Sequence, residues 1–214
     1  VLKGAVEHQD SMGNKGVITS GDVQWMTAGG GIIHQEMPQV MEDGILLGFQ
    51  LWANLPASHK MMKPRYQEVK AVEIPTVTTG ETDVKIICGT YNSVRGPVND
   101  IITTPVFLDV TVNPHGEFSF LTPADNAVFC YMIEGSGYFC EKNIDSSILE
   151  KHRAANQDVV LFSQGDCLQA HTDDQPMRFL FLMGKPINEP IAWGGPIVMN
   201  TQAELEIAFD EYEN

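Results

Sequence analysis

GDVQWMTAGGGIIHQEMP, residues 21–38, decides how this chain is read. A short run with Val23, Trp25 and Met26 meets three glycines, Gly29, Gly30 and Gly31, and a second run follows over residues 32–37. Glycine reaches positive φ without a Cβ clash, so the triplet marks a tight reversal between two strands. Successive side chains of a strand leave opposite faces. His34 and Glu36 therefore share one face, and Ile33 and Gln35 take the other. An imidazole beside a carboxylate is the start of a divalent-metal site. The glycines do not read as a phosphate loop, because no Lys follows and no helix begins there.

On either side of this stretch, short extended runs alternate with Gly, Pro and polar turns. Residues 1–7 read as strand, turn, strand, and residues 9–16 as a polar loop. ILLGFQLWANL, residues 45–55, reads as an apolar strand buried on at least one face. Residues 71–74 and 84–88 read as short strands. Residues 90–104 contain Gly96-Pro97, show no period, and read as a linker. Beyond it, alternation returns at 106–112, 118–121 and 128–133, with further strands at 159–162, 167–170 and 179–183. One helix is expected at the C-terminus. Thr201 to Glu204 form a capping box, and Leu205, Ala208, Phe209 and Tyr212 follow at helical spacing. Many short strands with one helix indicate an all-β barrel or sandwich.

A weak internal repeat points to two tandem β units. VLKG at residues 1–4, followed by Gly21-Asp22, resembles MIEG at 132–135, followed by Gly165-Asp166. The second unit has strands over residues 106–128 before its glycine turn, whereas the first has none before Val1. The first unit is thus expected to lack its opening strands, and the chain to be a processed or truncated product. A sheet edge left open in this way is expected to limit solubility or to borrow a strand from a partner.

Composition narrows the function classes. The 214 residues carry a formal charge of −15, which argues against direct nucleic-acid binding through clustered cations. No apolar run approaches the roughly 18 residues of a membrane span, and the N-terminus lacks a signal-peptide layout. Cys88, Cys130, Cys140 and Cys167 are widely spaced with no CxxC, which reads as reduced thiols in a cytoplasmic protein.

Taken with LWANLPASHKMMKPRYQEV at residues 51–69 and NEPIAWGGPIVMNTQAELEIAFDEY at 188–212, the opening stretch closely resembles pirins of the bicupin superfamily, over essentially the whole chain. The resemblance implies two tandem cupin-type jelly-roll barrels: a partial N-terminal domain over 1–89, a linker over 90–104, and a C-terminal domain with a terminal helix over 105–214. It implies iron(II), or another divalent transition metal, in the N-terminal domain, and quercetin 2,3-dioxygenase-type activity on flavonols. It also implies a regulatory protein partner, since eukaryotic pirins are nuclear transcription co-regulators. Family members hold the metal with two ligands from an HPHRGFET-type segment and two from an H-x-E segment. His34 and Glu36 match the second pair, while the first pair would fall before Val1. Leu121 and Pro123 occupy the corresponding positions of the second unit, so no second metal is implied.

Glu36 is expected to serve both as ligand and as acceptor of a substrate hydroxyl proton. His8 is the nearest additional candidate, but it reads as a hydrogen-bonded surface or outer-layer group. His59, His115, His152 and His171 read as loop or backbone-bonded residues. Trp25, Phe49 and Trp52 read as core aromatics. Two other readings stand beside the oxygenase: a metal- or redox-sensing interaction protein without turnover, and a truncated copy with an incomplete metal site.

Overall fold

A computed structural model describes residues 1–39, 44–142 and 144–213. The chain divides into two compact units, one of residues 1–71 with 187–214 and the other of residues 72–186.

In the first unit, β1 (Ala5–Asp10) lies between β2 (Lys15–Thr19) and β4 (His34–Pro38) in an antiparallel sheet. β3 (Val23–Thr27) pairs with β5 (Arg65–Val69) in a separate ribbon. The reversal after β3 depends on Gly29, whose φ is +54° and whose added Cβ would overlap the Met62 carbonyl oxygen. No other residue type fits there. Asp22, buried at the turn before β3, ties this unit together. Its carboxylate accepts the Thr19 N–H at 2.9 Å, the Thr19 hydroxyl at 3.1 Å and the Ala71 N–H at 2.9 Å.

Burial alone would push the Asp22 carboxyl up. The backbone donors of Thr19 and Ala71, the Thr19 hydroxyl and the Lys70 charge outweigh it and hold the group below the usual carboxylate range. A depressed carboxylate stabilises the fold fully above its unfolded value of about 3.9, and the contribution disappears as pH falls through the lower folded value. Asp22→Asn is therefore expected to flatten the acid limb of stability. Urea midpoints measured across that range check this, and an unchanged slope would count against the assignment.

The second unit holds the large hydrophobic core. Its strands are β6 (Thr76–Thr79), β7 (Thr82–Cys88), β8 (Thr90–Tyr91), β9 (Val94–Arg95), β10 (Val106–Val112), β11 (Glu117–Leu121), β12 (Ala127–Tyr138), β13 (Arg153–Ala155), β14 (Val159–Leu161), β15 (Cys167–His171) and β16 (Met177–Gly184). The sheet runs β11-β15-β12-β16-β10-β7-β6, with β13 and β14 also on β12. Alternate residues of the central strands, such as Leu108, Val110 and Val112 of β10, are fully buried. The sheet curls. Tyr91, which follows β7, stacks at 5.8 Å on Phe118 of β11, although β7 and β11 lie far apart in strand order.

The segment read as a linker, residues 90–104, carries regular structure of its own. Asn92 and Ser93, at φ 45° and 66°, turn a two-residue hairpin between β8 and β9, and Tyr91 and Val98 are buried. The compact units are bounded differently from the sequence domains 1–89 and 105–214. The C-terminal segment, β17 (Ala192–Gly194), β18 (Ile197–Met199) and the helix Gln202–Glu213, belongs to the first unit. There Glu189 accepts the Ala57 N–H at 2.6 Å, and Trp193 lies 6.5 Å from Trp52. The expected capping box is present: Thr201 Oγ1 accepts the Glu204 N–H at 3.2 Å, and Glu204 Oε2 accepts the Thr201 N–H at 2.8 Å.

Residues 44–55 correct a second expectation. They are irregular, joined to Lys3 through Leu47 by a single bridge, with Ile45, Leu46, Phe49, Leu51 and Trp52 exposed. An apolar run becomes a strand only when a neighbour pairs along its length, and one bridge does not supply that. Residues 71–74, read as a strand, begin with a 3-10 turn, Ala71–Glu73. The architecture is mostly β with one curled sheet and an appended helix. The described strands of the first unit lie in separate small sheets rather than in one closed barrel.

Candidate metal centre

β1 and β4 bring together what the sequence separates. Their antiparallel register sets His8 opposite Glu36 and Asp10 opposite His34. Directly opposed residues project to the same face, and so do residues two apart along a strand. His8, Asp10, His34 and Glu36 therefore share one face. One donor atom from each of His8, His34 and Glu36 lies within 4.8 Å of the others. An ion about 2.1 Å from each donor would set cis donors about 3 Å apart and trans donors about 4.2 Å apart. Glu36, on a strand exposed along its length, has the side-chain freedom to close that difference. Two imidazoles and one carboxylate are the donor set of the non-heme iron(II) facial triad, which leaves positions open for other ligands. The residues fit such an ion.

His8 is not the surface group that the sequence suggested; it is fully buried. Its ring stacks on Tyr66 of β5 at 4.9 Å with a 4° interplanar angle, and meets the His34 ring edge-on at 6.0 Å. Its Nδ1 lies 2.9 Å from Gln24 Nε2, and its Nε2 lies 3.5 Å from Asp10 Oδ2. The sequence signal for His8 was its two-residue spacing from Asp10. Only the β1–β4 register gives that spacing meaning. Gln24 and Tyr66 carried no recognisable signal. They share a face of the β3–β5 ribbon, where Gln24 opposes Glu68 and Met26 opposes Tyr66.

Asp10 is well satisfied. Oδ1 accepts the N–H groups of Met12 at 3.0 Å and Asn14 at 2.9 Å, and Oδ2 accepts the Asn14 side-chain amide at 2.7 Å. Burial pushes its carboxyl up, but these donors and His8 outweigh it and leave the group below the usual range. Burial, with the Glu68, Asp10 and Glu36 carboxylates around it, pushes the Tyr66 phenol up to about 12. Tyr66 thus stays a hydroxyl. That hydroxyl and Gln24 Oε1 are buried without a hydrogen-bond partner among the described residues, a situation that costs about 1–3 kcal/mol per group. Both sit on side chains that touch His8.

The aromatic residues assigned to the core divide differently. Trp25 is half-buried, whereas Phe49 and Trp52 are exposed. His171 is buried with Nδ1 3.2 Å from the Cys140 carbonyl oxygen, as a backbone-bonded histidine should be. His59 and His115 sit beside Ser58 and Asp174 on the surface. Among the described residues, His8, His34 and Glu36 form the single three-donor cluster. No helix among those residues is long and apolar enough to cross a membrane.

A mostly β, cupin-type fold with two histidines and a glutamate gathered on one sheet face defines a cupin-class protein with a candidate metal centre. Known proteins place it more narrowly. The family model for pirin matches residues 1–53, and that for the pirin C-terminal cupin domain matches residues 107–214. Pirin-1 of Arabidopsis thaliana is 40% identical over 217 residues, spanning 100% of this chain and 72% of that protein. Pirin of Homo sapiens is 35% identical, spanning 99% of this chain and 70% of that protein. The crystal structure of a quercetin 2,3-dioxygenase from Acinetobacter baumannii superposes with a TM-score of 0.84 at 30% identity, covering 99% of this chain and 72% of that one. The chain belongs to the pirin family.

Proposed function

We propose that this chain is a metal-dependent oxygenase of the quercetin 2,3-dioxygenase type, with iron(II) held by His8, His34 and Glu36 and a flavonol as substrate. The observation that carries the reading is the convergence of those three donors from β1 and β4. The similarity to a quercetin 2,3-dioxygenase supports the substrate class. When bound, the ion supplies a Lewis acid and a site for dioxygen chemistry. The chain's own residues do the rest. His8 is held rigid by the Tyr66 stack and by Gln24. Glu36, on the open strand β4, takes up the proton of the flavonol hydroxyl.

Elemental analysis after anaerobic loading with iron(II), followed by oxygen uptake with quercetin, tests this. About one iron per chain is expected, with uptake that depends on the flavonol and is abolished by chelation. Iron near one per chain without flavonol-dependent uptake would overturn the oxygenase reading and leave a metal-binding pirin. No retained metal would overturn both.

A further inference from the structure

Tyr66 carries a buried hydroxyl with no hydrogen-bond partner among the described residues. A buried polar group in that state points to a role in binding or catalysis, or to a bound water. Three carboxylates surround it: Glu68, Asp10 and Glu36. Two of them are committed elsewhere. Lys70 Nζ pairs with Glu68 Oε1, and Asp10 accepts the N–H groups of Met12 and Asn14 and the Asn14 side-chain amide. Among the described residues, Glu36 alone of the three has neither a hydrogen bond nor an ion pair. It lies on β4 directly opposite His8, the ring on which Tyr66 stacks at 4.9 Å. An unpaired buried donor and an unpaired carboxylate thus border the same imidazole.

We infer that Tyr66 is a positioning residue for Glu36: once one carboxylate oxygen of Glu36 binds a metal ion, the Tyr66 hydroxyl donates a hydrogen bond to the other. The inference rests on the reading of Glu36 as a metal ligand, and it does not depend on which other side chains complete the site. Without an ion the bond has little reason to form. Glu36 is exposed, so water solvates its carboxylate and the side chain keeps its rotamer freedom. One hydrogen bond from a neutral hydroxyl does not offset the loss of both. An ion that fixes the carboxylate removes that obstacle. The donor is then already in place. The parallel stack on His8 holds the ring, and burial among carboxylates keeps the phenol a hydroxyl. Ligating carboxylates generally take such a hydrogen bond, which orients them. Engaging the second oxygen also keeps Glu36 on the ion by one oxygen, which leaves a coordination position open for a substrate.

The test uses the full chain, zinc(II) as probe and Tyr66→Phe, which keeps the stacked ring and deletes only the hydroxyl. Zinc affinity is expected to fall about 10- to 100-fold. The metal-free variant is expected to melt no lower than the parent, because it loses a donor that had no partner. A structural hydroxyl bonded to a buried water predicts the opposite pair, a lower melting temperature with unchanged zinc affinity. In the Glu36→Ala background, Tyr66→Phe should leave the residual zinc affinity unchanged, since no carboxylate remains to accept. In the unsubstituted chain the carbon-13 signal of Tyr66 Cζ should move downfield when zinc is added, and in Glu36→Ala it should not. Equal zinc affinity for Tyr66→Phe and the parent would overturn the inference. So would a Tyr66 signal indifferent to zinc, or the same loss of affinity in the Glu36→Ala background. The carbon-13 readout needs no Tyr66 variant, so it stands even if Tyr66→Phe fails to fold. If the unsubstituted chain takes up no zinc, the metal reading fails and takes the inference with it, a result seen before any substitution is made.

Discussion

Glu36→Gln is expected to lower flavonol-dependent oxygen uptake by about 10²- to 10⁴-fold, the range for removing a positioned general base. The change keeps the side chain's shape and removes its charge and its ability to take a proton. β4 is exposed along its length, so folding should be nearly unaffected, within about 0.5 kcal/mol. Glu36 is assigned two roles, and they separate experimentally. If it were a ligand only, saturating iron(II) would restore turnover to the variant. If it also takes up the substrate proton, turnover stays low at full metal occupancy. Uptake equal to that of the parent would dispose of both roles. Glu36 opposes His8 across the β1–β4 ladder, so losing its charge also changes the field at Tyr66, whose phenol it helps to push up.

Phe179→Ala is expected to destabilise the fold by about 3–5 kcal/mol, the usual range for truncating a fully buried phenylalanine. Phe179 has no exposed surface. It opposes Val110 of β10 and Met132 of β12. Its ring meets Phe118 edge-on at 5.6 Å and Phe139 at 5.2 Å. These neighbours come from different parts of the curled sheet and cannot collapse together onto a methyl group, so most of the cavity would persist. The urea midpoint should fall with little change in m. A loss under about 1 kcal/mol would mean that the core closes over the gap.

That His34 and Glu36 share a face was legible because the period of a strand is local. Two residues apart on one extended segment share a face whatever the rest of the chain does. The capping box at Thr201 and Glu204 was legible for the same reason, since both partners lie within one turn. Resemblance to a known family added the cupin-type fold and the metal-binding character. Alternation also located most strands of the second unit, where one buried face repeats along each run, as at Leu108, Val110 and Val112.

What stayed hidden depends on pairing between distant segments. His8 meets Glu36 from 28 positions away, and Gln24 and Tyr66 reach His8 from a different ribbon. A shift of one residue in the β1–β4 register would turn His8 to the opposite face, and nothing local in residues 5–10 excludes that shift. The apolar run at residues 45–55 failed in the other direction. Its composition suits a buried strand, but a strand is made by a neighbour that pairs along its length, and among the described residues the run is joined to Lys3 by an isolated bridge at Leu47. Residues 90–95 carried only a two-residue turn with no hydrophobic period, yet Tyr91 is buried beside Phe118 and Phe120. Local periodicity and end chemistry are properties of neighbouring residues and can be read in order along the chain. Register, burial and the meeting of His8 with His34 and Glu36 arise from hydrogen bonds and packing between segments whose separation no local pattern encodes.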